Sequence, residues 1–422
     1  MTVDRPTVPG RPQPVSAENA ETVERPGIAR LERDNVTFAG YAALGGWGWV
    51  IYSMGAFLPL LRAEEQTNRT VMGLHGTAMA FGGLLCAFFT VPIVRRLHRR
   101  GAFLVGSAAL GASVLLLLTG HRAEFTVPAM ILVGIGGTLM VNSANPMLSV
   151  HHGRAGAAAL TEANGVGAGI GLLAPLAVGT AQAQGLGWRP AVALVVPVLM
   201  VGAWFISRIP RGTLAVDDQL PPAHHRQGRL STTFWLTVAS LVLAVSIEVT
   251  SVGWTADLLS QQVGLSLSDA AKTVTGIVIG IAVGRAVIGP ASLRFSVPKL
   301  FIGAVGLAML GWLLTWLATT PAMAIAGLVL MGLGISAHFP LGTALTYRAA
   351  GANIDRASGI ASIGLSLSAT VLPMVFGMVA DRTSTHWAFC LIPCLAAVAV
   401  ALQIAARLAH RRGLDAAAPA AS

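Results

Sequence analysis

The sequence predicts an all-α membrane protein whose twelve transmembrane helices form two pseudo-symmetric six-helix bundles. Three observations carry this. Twelve apolar stretches, each about long enough to cross a hydrocarbon core, fill the chain from Thr37 to Ala406. The 422 residues are 54% hydrophobic and 11% charged, against about 25% charged in soluble domains, so the apolar excess must face lipid or other membrane helices. The second six stretches also repeat the first at a constant offset of 198 residues. Gly82 falls on Gly280, Pro92 on Pro290, Arg96 on Arg294, Phe103 on Phe301, Gly134 and Gly136 on Gly332 and Gly334, and Pro175 and Gly179 on Pro373 and Gly377. A parallel six-helix repeat describes a two-bundle transport architecture with a solvated cavity between the halves.

Taken in order, residues 1–34 hold Pro6, Pro9, Pro12, Pro14 and Pro26 with scattered acids and no apolar core, which predicts a disordered cytoplasmic tail and not a signal peptide. The N-terminal bundle, 35–207, carries spans at 37–61, 71–94, 101–120, 126–149, 155–181 and 190–207. A polar cytoplasmic linker, 208–230, contains Asp217, Asp218, Pro221, Pro222, His224 and His225. The C-terminal bundle, 231–406, carries spans at 232–260, 273–290, 300–319, 321–347, 357–380 and 387–406, and 407–422 forms a second cytoplasmic tail. Most spans reach about 20 residues, which at about 1.5 Å each covers a core about 30 Å thick. Gly165, Gly167, Gly169 and Gly171 place two Gly-x3-Gly pairs in the fifth span, a pattern that lets helix backbones approach closely.

Charge placement gives the topology. Of the 28 Lys and Arg, 21 lie in the tails and even-numbered loops, six (Arg62, Arg69, Arg122, Arg189, Lys272, Arg382) in the odd-numbered loops, and Arg285 alone within a span. This positive-inside asymmetry predicts both termini in the cytoplasm and a multi-pass protein of the plasma (inner) membrane. The formal charge of +10 is therefore a topology signal, with no nucleic-acid partner implied. Cys86, Cys390 and Cys394 all sit in spans and read as packing residues. His151-His152 and His224-His225 have no carboxylate beside them in sequence, so no metal site is expected. No nucleophile–base pair, Walker loop or nicotinamide fingerprint is present, which excludes the common enzyme chemistries, implies no cofactor and leaves an ion gradient as the energy source.

An ionisable side chain within the membrane is costly and marks function by default. Glu248 lies roughly 24 Å into the seventh span, with apolar Ile247, Val249 and Val252 around it, and is the first candidate for proton coupling. His338 in the tenth span is the second, because imidazole titrates near neutral pH; an interhelical hydrogen bond is its alternative role. Asn142, Asn145 and Asn164 are candidate hydrogen-bonding groups for a small polar solute, and Trp47, Tyr52 and Trp254 candidate flat faces for it. Asp257, near the outer end of its span, reads as solvated.

The order of these segments resembles the major facilitator superfamily over nearly the whole chain after residue 35. In the second half, Glu248, Trp254, Gly264-Leu265-Ser266, Ala270 and Gly284-Arg285, then Gly332-Leu333-Gly334 and Phe339-Pro340, are similar to the fucose permease-like branch. The first half departs from the superfamily pattern: Val91–Gly101 keeps the basic residues of the loop after the second span and lacks its acid. The resemblance implies a monomer working by alternating access, with proton-linked uptake of a small solute; proton-driven efflux of a drug or metabolite on the same fold is the main rival, and a non-transporting membrane receptor built on the same bundle is the remaining alternative. Sodium coupling is the other option, although the deep carboxylates are not clustered as an oxygen cage requires. It also implies that spans 5 and 8 face each other. Glu162, roughly 10 Å inside the cytoplasmic end of one, and Arg285, at similar depth in the other, are then expected to form an inter-bundle gate.

Overall fold

A computed structural model describes residues 31–210, 230–351 and 353–417. Most of the expected N-terminal tail, nearly all the linker including His224 and His225, and the last residues of the C-terminal tail lie outside them. The described residues are helical almost throughout: α1 (Asn35–Glu65), α2 (Arg69–Thr119), α3 (Ala123–His151), α4 (Gly156–Ala183), α5 (Arg189–Ala193), α6 (Val195–Ser207), α7 (Thr232–Gln262), α8 (Leu267–Arg294), α9 (Val297–Trp316), α10 (Pro321–Ile335), α11 (His338–Ala350), α12 (Ile354–Arg382), α13 (Thr385–Ala388) and α14 (Leu391–Ala417). Polar residues fix several starts. Asp34 and Thr37 form a capping box on α1, while Ser231, Ser266 and Thr320 cap α7, α8 and α10 through their hydroxyls. The α14 helix continues past 406, where the span was expected to end.

Among the described residues, eleven segments are long and apolar enough to cross a membrane, where the sequence predicts twelve. The difference lies in α2, whose 51 residues would extend about 76 Å if straight, over twice the hydrocarbon thickness. It is interrupted at His98, where φ is 56° and ψ 169°. Its two parts flank one stretch of α3: a side chain on Gly134 would strike the Met79 carbonyl, and one on Gly136 the Leu110 amide. The segment therefore doubles back at His98, and the expected spans 71–94 and 101–120 are its two limbs. The reverse happens in the tenth span, which divides at Ser336 and Ala337 into α10 and α11.

The sequence repeat reappears as a repeat of contacts. Gly82 abuts Ile131 and Gly280 abuts Val329; Gly134 meets Met79 and Gly332 meets Ile277; Gly136 meets Leu110 and Gly334 meets Ala308. Each second pair is the first moved by the same 198 residues. Glycine is retained because backbone packs on backbone there. A leucine at Gly280 is expected to lower the thermal unfolding midpoint in detergent, since it must displace the Val329 carbonyl at an overpacking cost of about 1–3 kcal/mol. Leucine at Gly303, which has nothing within 4 Å, is the control and should leave the midpoint unchanged.

The Gly-x3-Gly stripe of α4 divides by face. Gly167 and Gly171 pack on the α1 backbone at Leu44 and Gly48, while Gly165 and Gly169 face open space. Within the first half α1 packs on α4 and α6, and α2 on α3; within the second, α10 packs on α8 and α9, and α7 on α14. The halves meet through α2 with α12, α4 with α8, and α1 with α7 and α8.

Candidate functional site

Between the halves lies a cavity of about 430 Å³. It is walled by α1, α2 and α4 on one side and α7, α8, α11 and α12 on the other. Aliphatic, methionine and aromatic side chains dominate its lining, among them Ile51, Met54, Met72, Met79, Val249 and Phe339. Tyr52, Asn164, Glu248 and Arg285 supply the polar groups, with the indoles of Trp47 and Trp254.

Glu248 and Arg285 form an ion pair across α7 and α8, Nη2 to Oε1 at 3.8 Å. That separation exceeds a hydrogen bond, so the guanidinium fork is not consumed by this carboxylate. Both remain accessible, the Arg285 side chain at 45% and Glu248 at 20%. Tyr52 on α1 feels both charges. Asn164 donates to the Leu160 carbonyl of its own helix at 2.8 Å. Asn142 and Asn145 do not line this cavity, and neither does His338. His338 is wholly buried, with its Nδ1 2.9 Å from the Ala244 carbonyl of α7, which is the interhelical bond named as its alternative role.

At the end of the molecule formed by the odd-numbered loops the two halves close on each other. Asp257 on α7 is fully buried and receives Arg62 Nη2 from the end of α1 and Arg69 Nε from the start of α2, each at 2.9 Å. Gln261 Nε2 donates to it at 2.7 Å and the Thr385 hydroxyl also donates. The expectation of a solvated Asp257 is therefore corrected: a desolvated carboxylate is tolerated because every lone-pair direction has a donor. Asp381 at the end of α12 accepts from the Arg69 and Thr70 amides at 2.8 and 2.7 Å. Nearby, Gly55 on α1 lies against Val252 and Gly253 on α7, Gly73 against Pro373, Gly377 against Arg69 and Gly179 against Ser268. Gly55 and Gly253 are themselves repeat partners, one offset apart, so the halves touch across their pseudo-symmetry axis.

The expected Glu162–Arg285 pair is not formed in this structure. Glu162 instead holds Arg33, through Nε at 2.6 Å and Nη2 at 3.0 Å, and the Tyr41 hydroxyl, all within the first half. Arg33 precedes α1 and so lay within the segment expected to be disordered. Its neighbour Asp34 caps α1 and meets His151, so the histidine pair does have a carboxylate beside it, supplied from 117 residues away in sequence. Burial pushes the Asp34 carboxyl up, but the Thr37 amide and His151 outweigh it and hold it below the usual carboxylate range.

Sequence reasoning missed Arg62, Arg69, Asp381, Arg33 and Tyr41. For Arg62 and Arg69 a signal existed. They belong to the few cations on the side that topology keeps poor in positive charge, and a residue retained against that bias needs a partner there. Arg189 and Lys272, two others of that set, are paired too, with Glu64 and Asp269.

Residues 236–421 match the sequence model of the Major Facilitator Superfamily. A glucose/galactose transporter of Brucella abortus (strain 2308) is 24% identical over 371 residues, covering 84% of this chain and 90% of its own. Among solved structures, a D-xylose-proton symporter superposes with a TM-score of 0.72 at 13% identity over 88% of this chain and 96% of that one. The nucleoside transporter NupG does so at 0.67 and 11% identity over 89% and 98%. The fold and the relatives are those of transporters, not of enzymes.

Proposed function

We propose that this chain is a member of the major facilitator superfamily, a reading its fold and the match of its second half to the family model support, and that it is a secondary active transporter coupling proton entry to uptake of a small solute. The observation that carries the reading is the Glu248–Arg285 pair facing a cavity between the halves. An acid there offers a protonation site beside the solute, and a loosely held counter-ion is free to change partner. We read the two limbs of α2, which meet at His98, as two of twelve spans, six in each of the proposed bundles 35–207 and 231–406, with the proposed linker 208–230 between them. If both termini lie in the cytoplasm of a plasma-membrane protein, as the charge bias predicts, the odd-loop face sealed by Asp257 is external and this state is read as inward-facing.

In this reading, alternating access exchanges the seal at Asp257 for one at the cytoplasmic end. The Glu162–Arg285 gate then belongs to the outward-facing state, where Arg285 would add Glu162 as a partner while the rest of its five-donor fork still faces the cavity. Trp47, Tyr52, Trp254 and Asn164, which line the cavity, are the proposed solute contacts. The relatives' names support sugar-sized cargo. The test is uptake into proteoliposomes of a labelled panel (hexoses, pentoses, nucleosides, small organic acids) under an imposed pH gradient. Accumulation of one class above protein-free liposomes, abolished by a protonophore, is expected. Protonophore-insensitive movement, or outward-only movement as an exporter would give, overturns the uptake reading.

A further inference from the structure

We propose that the solute is a small amphipathic organic anion: a monocarboxylate whose apolar or aromatic body fills the cavity and whose carboxylate takes the Arg285 guanidinium while Glu248 carries a proton. The inference rests on the transport reading above and goes beyond it by naming the substrate class.

Three features of the cavity select this chemistry. The first is its scarcity of hydrogen-bonding groups. A hexose presents hydroxyls around its whole ring, and each left without a partner in a dry site is lost binding energy. Apart from two indoles, the lining offers Tyr52, Asn164, Glu248 and Arg285, and one N–H of the Asn164 amide already donates to Leu160. Asn142 and Asn145, which a sugar site would recruit, lie elsewhere. The second is the apolar wall. Three methionines (Met54, Met72, Met79) and two tryptophans border about 430 Å³, a surface that accommodates varied hydrophobic shapes and stacks aromatic rings.

The third is charge. Empty, the cavity holds one guanidinium and one carboxylate, and these stand 3.8 Å apart, too far to saturate each other. An incoming carboxylate can engage the guanidinium fork through two parallel hydrogen bonds. If Glu248 takes up a proton as this happens, the loaded cavity contains one guanidinium and one carboxylate again, so its net charge is unchanged. Solute and proton then cross together with no uncompensated charge in the membrane. The titratable and charged groups facing Glu248 across the cavity are Arg285 on α8 and Tyr52 on α1. A cation, by contrast, would claim Glu248 and leave Arg285 without a partner.

The test uses the full chain in detergent, with fluorescence of the cavity-lining Trp47 and Trp254 as readout. The probes are 3-phenylpropionate, its neutral relative 3-phenylpropanol, L-phenylalanine, D-glucose and uridine. We expect 3-phenylpropionate to bind at least tenfold more tightly than the alcohol or glucose, and more tightly as pH falls. Arg285→Gln should erase at least tenfold of that preference and leave the alcohol unaffected. Glu248→Gln should keep the affinity and remove its pH dependence, which supplies the test should Arg285→Gln fail to fold. Preference for glucose, uridine or the zwitterion phenylalanine, or acid binding indifferent to both substitutions, overturns the inference.

Proteoliposomes separate this result from the transport reading. Glucose or uridine influx without phenylpropionate binding overturns the substrate class and leaves transport standing. Arg285-dependent phenylpropionate binding, with no influx of any probe above protein-free liposomes, upholds the site and overturns transport.

Discussion

Replacing Asp257 with alanine is expected to open the odd-loop face of the molecule. The substitution strands Arg62 and Arg69, whose side chains are only 21% and 22% exposed, opposite a site that no longer holds an anion. Removing one partner of a buried ion pair costs about 3–5 kcal/mol, because the remaining charge is left desolvated. Here that cost falls only on the conformation in which the halves meet, since the two arginines belong to one half and Asp257 to the other. Each 1.4 kcal/mol is about tenfold in population, so a bias near 3 kcal/mol moves the equilibrium by about two orders of magnitude. The measurement is labelling of Leu58→Cys, a cavity position on α1, in a background with Cys86, Cys390 and Cys394 replaced by alanine. A membrane-impermeant maleimide added from the odd-loop side should react at least tenfold faster when Asp257 is alanine. Single replacement of Arg62 or Arg69 should act in the same direction more weakly, because one guanidinium still neutralises the carboxylate. Unchanged labelling in a well-folded Asp257→Ala protein would remove Asp257 from the closure.

The arrangement also shows which parts of a membrane protein are written in local sequence. Span positions were legible because an apolar run about 20 residues long is a one-dimensional requirement of the bilayer. The offset of 198 residues was legible for a related reason. Gly82, Gly134 and Gly136 are kept because a backbone lies against each, and the second half needs the same residue type wherever it repeats the same helix crossing. What local sequence hides is pairing between remote polar groups. Asp257 and Arg62 stand 195 residues apart, and nothing near either one distinguishes a wet carboxylate at a helix end from a buried one. Glu162 shows the converse. Its depth and sign matched Arg285, but depth does not encode azimuth or conformational state, and in this state Arg33 and Tyr41 reach it first. Of the candidates for solute contact, those on α1, α4 and α7 line the cavity, while Asn142 and Asn145 on α3 do not. Residue type predicted capacity for contact; only the packing of α1, α4 and α7 decides which side chains are turned inward.

Glu248→Gln is expected to abolish gradient-driven accumulation while sparing exchange. Glutamine keeps the size and much of the hydrogen-bonding capacity of the side chain, so the cavity should still form and bind solute. It cannot take up a proton, however, so the cycle loses its link to the pH gradient. With one proton per solute, a gradient of one pH unit supplies about 1.4 kcal/mol, enough for roughly tenfold accumulation. The wild-type chain should approach that ratio above protein-free liposomes, and the variant should stop near equality. Counterflow of labelled against unlabelled solute at equal pH needs no net proton movement and should persist within a few-fold. The two assays together separate a coupling defect from a folding or binding defect, which would lower both. Equal accumulation by both proteins would place the coupling proton elsewhere. His338 would be a poor heir, because its ring is buried outside the cavity and already bonded to the Ala244 carbonyl. Solute-linked protonation would then have to be sought among groups that open only when the halves part at Asp257.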